Sequence, residues 1–400
     1  MNKLFFLMIA AYSVCLYADN QLIERSVSSS VELQDAINDA AVNATHSTKI
    51  QIKGTLIGNF VVPATNYEII LEGIKDSPTL NGGGTGSTLT IDAGARVEVL
   101  CLTICDGIAT DGGGILNNGD LKVRKSRIRD NIASNNGGGI YNSSTAILNL
   151  KDSEILDNRA ESGGGIFSLG TMKVHDTLFT GNLSILDGGA LVNISDPSTT
   201  MRIQDCKFKD NVAQRNAGAI YTEGTLVVKK STFKENVADS IAGAIFNVTG
   251  SLSLKKVVIK SNSSINDEGG GVYNNGFLTI KEQSVIRDNS ALLNGGGILN
   301  NGQASIRDSE IKRNTAVFAG GGIYNTSNAT LYINRSTINK NQAEAGGGIA
   351  NVEDAVLTVK RTSIFENSAL VGGGIYTTSS VPVTITKSKI IKNEPDNIAP

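Results

Sequence analysis

Apolar and polar residues alternate along this chain in short bursts, and the bursts recur. In residues 121–142, Leu121 and Val123 alternate with Lys122 and Arg124. Ser126, Ile128 and Asn131 follow, and Gly137-Gly138-Gly139 then leads into Ile140 and Asn142. Alternation by two marks a strand with one face buried and one in water. Three such strands fit the unit, joined by turns. The residue after the glycines is Ile115, Ile140, Ile166, Leu191, Ile220, Ile245, Val272, Ile298, Ile323, Ile349 and Ile375, at gaps of 25–27 residues with one of 29. A period in this range means one structural unit stacked on copies of itself.

Two further positions repeat. A mostly hydroxyl-bearing residue stands at Ser126, Ser153, Thr177, Cys206, Ser231, Val257, Ser284, Ser309, Ser336, Thr362 and Ser388, with Ile or Phe two residues on. Three residues further is always asparagine: Asn131, Asn158, Asn182, Asn211, Asn236, Asn262, Asn289, Asn314, Asn341, Asn367 and Asn393. Stacked Asn side chains hydrogen-bond along an axis, so these form a structural ladder. A leucine-rich repeat also ends in Asn, but its return segment is helical or leucine-bearing, and three glycines in a helix cost roughly 3 kcal/mol against alanine. The pattern predicts an all-β fold. It is a single-stranded right-handed parallel β-helix, a solenoid with three short strands per coil of about 25–26 residues.

The ends depart from the pattern. Ser29-x-x-Glu32 is a capping box, and Leu33, Ala36, Ile37, Ala40 and Ala41 form a helical stripe. A helix here would cover the open edges of the first coil. Residues 1–18 read as a signal peptide, with Lys3 before an apolar run too short to remain in a bilayer. The expected layout is therefore a signal at 1–18, an N-terminal segment with capping helix at 19–49, the β-helix at 50–393, and a bare tail at 394–400. Some fourteen coils stacked at ~4.8 Å make a rod of roughly 65 Å.

Composition adds limits. Formal net charge is −2, so no global field selects a partner. After signal removal Cys101, Cys105 and Cys206 remain; Cys101 and Cys105 read as lying on one strand, too far apart to bridge. No further segment reads as a membrane span. His46 and His175 lack a partner at metal spacing and read as solvated. The glycine clusters lack the Lys-Ser/Thr of a phosphate loop. Sequons occur at Asn43, Asn142, Asn193, Asn247, Asn325, Asn328 and Asn334, and at the ladder positions Asn182 and Asn262, which are expected to stay bare.

The Gly188-Gly189-Ala190-Leu191 unit, with Phe-x-x-Asn at Phe179 to Asn182, Phe208 to Asn211 and Phe233 to Asn236, resembles the repeat of the chlamydial polymorphic membrane proteins. The Gly-Gly-Gly-Ile-Tyr-Asn form ending at Asn142 resembles the wider class of right-handed β-helix repeat proteins in the pectin-lyase-like superfamily. The likeness covers about residues 54–393 and specifies fold more than function. It implies a surface-exposed, adhesin-like module. A counterpart of the chlamydial proteins' C-terminal membrane β-barrel is not expected within this sequence.

The same superfamily contains pectate lyases and polygalacturonases, which work with clustered or paired carboxylates. No Asp-Asp dipeptide occurs here, and acids fall one per coil beside the ladder, as at Asp130, Asp157, Asp210 and Asp288, where they read as turn residues. Asp111 and Asp187 read as isolated corner acids. No catalytic, metal-binding or cofactor residue is assigned. The charges, however, are uneven. The two strands before each ladder Asn carry 28 of the 36 Lys and Arg, against about 13 acids. The candidate face comprises Lys122, Arg124, Arg127, Arg129, Lys207, Lys209, Lys229, Lys234, Lys255, Lys260, Arg307 and Lys312. Acids gather in the glycine-side loops, as at Glu161, Asp239, Asp267, Glu268 and Glu344. The expected protein is a secreted or surface-exposed monomer, non-enzymatic, binding an acidic polysaccharide or cell-surface glycan and not nucleic acid. The alternative is a polysaccharide lyase or glycoside hydrolase acting on acidic polysaccharide.

Overall fold

The computed structural model describes residues 22–75, 78–196 and 198–400. The signal segment read at 1–18 lies outside the described residues. The rest winds as a parallel β-solenoid of about fourteen coils.

One coil contains the strands Asp120–Arg124, Arg127–Arg129 and Ile140–Asn142. Each pairs in parallel with its equivalents one coil away on both sides. The five-residue strands build a 15-stranded sheet, and the second and third strands build sheets of 14 each. Nine coils add a narrow fourth sheet, with Ile132–Asn136 in this coil and two-residue strands such as Val212–Ala213 in most others. A two-residue strand has one inward side chain, here Ala213, so alternation cannot announce it.

The interior is a continuous stack of Ile, Leu and Val, with Phe179, Phe208 and Phe233 face to face at 4.5 and 4.7 Å between ring centres. The Asn ladder flanks it. Each Nδ2 donates to Oδ1 of the next coil at 2.8–3.1 Å from Asn131 to Asn393, and each backbone N–H donates to the same oxygen at 3.0–3.2 Å. A second ladder, not read from the sequence, ends the third strands. Asn117 donates to Asn142 at 2.7 Å, and Asn247, Asn274, Asn300, Asn325 and Asn351 form a run at 2.6–2.8 Å. The sequons at Asn142, Asn193, Asn247 and Asn325 are therefore wholly buried ladder or near-ladder positions, whereas Asn43 and Asn328 are exposed.

Corners explain the repeated acids and glycines. Asp130, Asp157, Asp210 and Asp288 all have φ between 53 and 58°, the left-handed region that short polar side chains tolerate best after glycine. Cys101 also occupies such a corner, at φ 55°, between Arg96–Leu100 and Thr103–Cys105. It does not share a strand with Cys105 as the alternation suggested. In the Gly-Gly-Gly corner only the middle residue is glycine in every coil, since Ala217 and Ala242 replace the first and Ala190, Ala219 and Ala244 the third. A Cβ at Gly243 would lie 2.3 Å from the Gly270 carbonyl oxygen and 2.5 Å from the Ser263 nitrogen.

The helix Ser30–Asn43 caps one end and buries Leu33, Ala36, Ile37 and Ala40. Ser29 Oγ accepts the Glu32 N–H, while the Glu32 carboxylate reaches back to Ser28 N–H at 2.8 Å. Gln34 fills the open edge of Phe60–Val62, donating to Val61 O at 2.8 Å and accepting its N–H at 3.0 Å. Pairing also runs past the 50–393 span: Ile23–Val27 extends the long-strand sheet, and Ile398–Ala399 extends the third. The tail, read as bare, folds back so that Asn397 Oδ1 accepts from Asn393 Nδ2 at 3.0 Å.

Candidate functional site: the basic face

The outward positions of the long and second strands bring the candidate basic residues onto adjoining sheets, but not into one equivalent set. Seven are already paired. Lys122 meets Glu68 at 2.7 Å, Arg124 meets Glu98 at 3.1 Å, and Arg127 meets Glu154 at 2.7 Å. Arg129 contacts Asp130, Lys209 lies 2.7 Å from Asp210, Lys234 lies 2.9 Å from Glu235, and Lys312 lies 2.6 Å from Glu310. The Glu68 carboxylate beside Lys122 pushes its ammonium pKa up, and Asp210 does the same for Lys209.

Lys207, Lys229, Lys255, Lys260 and Arg307 have no ion pair among the described residues; Arg307 instead lies 5.4 Å from the Tyr332 ring centre. Parallel register stacks Lys229 on Lys255 and Lys255 on Lys281. Lys230 and Lys256 occupy the adjacent left-handed corners. On the second sheet Lys209, Lys234, Lys260, Arg287 and Lys312 form another column, with acids beside all its members except Lys260. Free lysines thus gather over residues 229–281, where Lys229, Lys230, Lys255, Lys256, Lys260 and Lys281 have no ion pair among the described residues; Lys387, Lys389 and Lys392 near the C-terminus are likewise unpaired.

A different grouping lies nearer the N-terminus. Asp152, Asp176 and Asp205 occupy the same corner on successive coils, and with Glu154 and Lys207 they line a shallow groove of about 520 Å³. His175, read as a solvated histidine, is flanked there by Asp176 at 2.7 Å and Asp205 at 3.5 Å. Asp187 is likewise no isolated acid: it is buried, accepts from Arg215 Nε and Nη2, and accepts Asn216 Nδ2 at 2.9 Å. Among the described residues no three His, Cys, Asp or Glu side chains are grouped so that they could hold a metal ion. None of the described helices is long and apolar enough to cross a membrane.

A family model described as a right handed beta helix region matches residues 102–255. No curated protein and no solved structure matches the chain. The match takes in less than half of the chain, and together with the parallel sheets it supports the fold of a right-handed parallel β-helix.

Proposed function

We propose that this protein is a secreted or surface-exposed, non-enzymatic β-helix that binds an acidic polysaccharide or similar polyanion along its basic face. The observation that carries this reading is the in-register column Lys229, Lys255 and Lys281, widened by Lys230, Lys256 and Lys260. Like charges one strand apart, ~4.8 Å, repel and destabilise the pair. A polyanion laid along the axis removes that repulsion and releases its own counterions. The motif likeness to chlamydial polymorphic membrane protein repeats and to the pectin-lyase-like class supports an adhesin-like setting.

Retention on immobilised heparin tests the reading. We expect elution that shifts to lower salt when Lys229, Lys255 and Lys260 are changed together to Glu, and little shift for Arg124→Gln with Arg127→Gln, which are already neutralised. Absence of retention at low ionic strength would sink the proposal. A second reading, a polysaccharide lyase or hydrolase, draws support from the Asp152–Asp176–Asp205 groove beside His175. Product release from polygalacturonate that disappears in Asp176→Asn would favour it instead.

A further inference from the structure

The third sheet carries a column of another kind. The middle residue of each of its strands points outward, and register places Tyr221, Tyr273, Tyr324 and Tyr376 on alternate coils. Between them lie Phe246, Leu299 and Ala350, exposed by 6, 0 and 0 %. The tyrosines are half-buried, so their rings stand above the filled gaps as a row of ridges. Tyr221 and Tyr273 clasp Phe246 edge-on, with ring centres 5.5 and 5.1 Å away. The corner glycines make room: a Cβ at Gly269 would lie 3.3 Å from the Tyr273 ring.

Carboxylates accompany the ridges. Tyr221 donates its hydroxyl to Glu223 at 2.9 Å. Glu268 accepts Asn294 Nδ2 at 2.6 Å. Burial, then the charge of Glu268, pushes the Tyr273 phenol up to about 12, and burial with Glu268 and Glu353 raises Tyr324. These phenols therefore remain hydrogen-bond donors at any physiological pH. Arg215, near Tyr221, is already held by Asp187. The face is aromatic and acidic, opposite in character to the lysine column.

Its spacing selects a ligand. Two coils advance about 9.6 Å. One turn of polyproline II, three residues at 3.1 Å each, advances about 9.3 Å. Aromatic ridges hold such segments by packing against the proline rings while donors meet the unsatisfied carbonyls. We infer that the Tyr221–Tyr273–Tyr324–Tyr376 face binds a cationic proline-rich segment of a partner protein. The segment lies in polyproline II conformation along the solenoid axis, with Lys or Arg directed at Glu223, Glu268 and Glu353. Mismatch against the row is only about 0.3 Å per turn, so all four ridges engage in register.

The test is fluorescence anisotropy of the full chain with a labelled peptide of Pro-Pro-Arg repeats. Controls are Pro-Pro-Glu repeats and a peptide of the same composition with prolines scrambled. Binding is expected for the first alone, weakened about tenfold or more by Tyr273→Ala with Tyr324→Ala. It should also weaken in Glu268→Gln with Glu353→Gln, which leaves the rings in place, and stay unchanged in the Lys229, Lys255 and Lys260 variant. Equal binding of the scrambled peptide would overturn the inference. So would failure of the charge variants to weaken it, or binding of neutral β-linked oligosaccharides by the same tyrosines in place of the peptide.

Discussion

The Glu268 carboxylate is acted on mainly by burial and not by a neighbouring cation. Burial raises its pKa above 4.5, with the Asn294 hydrogen bond opposing the shift. Between the unfolded and folded pKa values the native state holds more protons than the unfolded state, so stability falls as pH rises through that window. Glu268→Gln keeps an acceptor for Asn294 and removes the buried charge. The variant should therefore melt higher than wild type at neutral pH, with the gain fading as pH falls through the raised Glu268 pKa. A gain independent of pH would contradict this origin. At the same scale, the corner acids were legible in the sequence because Asp130, Asp157 and Asp210 recur beside the ladder. The burial of Asp187 was not, since its partner Arg215 is 28 residues away.

The elements divide into those that announce themselves and those that do not. The long strands are legible because Leu121 and Val123 face inward between charged neighbours. The first Asn ladder is legible because no coil breaks it. The second is hidden because Ser168, Thr222 and Thr377 interrupt it, and four of its asparagines, Asn142, Asn193, Asn247 and Asn325, pass for glycosylation sequons. The interruption leaves a trace: Thr222 turns its hydroxyl to Gly224 O at 3.4 Å, and Asn247 Oδ1 is left without a donor. The uninterrupted ladder should be costly to break. Asn236→Ala removes the acceptor of both Asn211 N–H and Asn211 Nδ2, and orphaned buried donors cost about 1–3 kcal/mol each. Urea unfolding should register a loss of at least about 2 kcal/mol, with faster amide exchange centred on the neighbouring coils. A loss under about 0.5 kcal/mol would show that the ladder is dispensable.

The whole molecule is a rod with different chemistry on different sides and at its two ends. The basic side was legible as a count of residues. Which lysines remain free was not, because neutralising partners such as Glu98 for Arg124 and Glu154 for Arg127 sit one coil away. The tyrosine row was missed for the same reason, since its members are separated by 51–52 residues. The covered end depends on the helix that carries Leu33 and Ile37, both fully buried. Ile37→Asp should strip that cover and expose strand edges that accept other chains. Light scattering is expected to report concentration-dependent association that the wild type lacks, and an unchanged particle size would assign the helix no protective role.

Both asparagine ladders also give the rod an electrical direction. Along each unbroken run the amide oxygen accepts from the N-terminal coil and one amide N–H donates toward the C-terminal one, as from Asn131 to Asn158 and from Asn274 to Asn300, while in the first ladder the other N–H turns back to a carbonyl such as Ile104 O. The side-chain dipoles therefore add, as peptide dipoles do in a helix but with the opposite sense along the chain. Positive potential accumulates at the last coils, where Lys387, Lys389 and Lys392 already cluster and Asn397 supplies the terminal acceptor. Two such rods lying side by side would be drawn into antiparallel alignment.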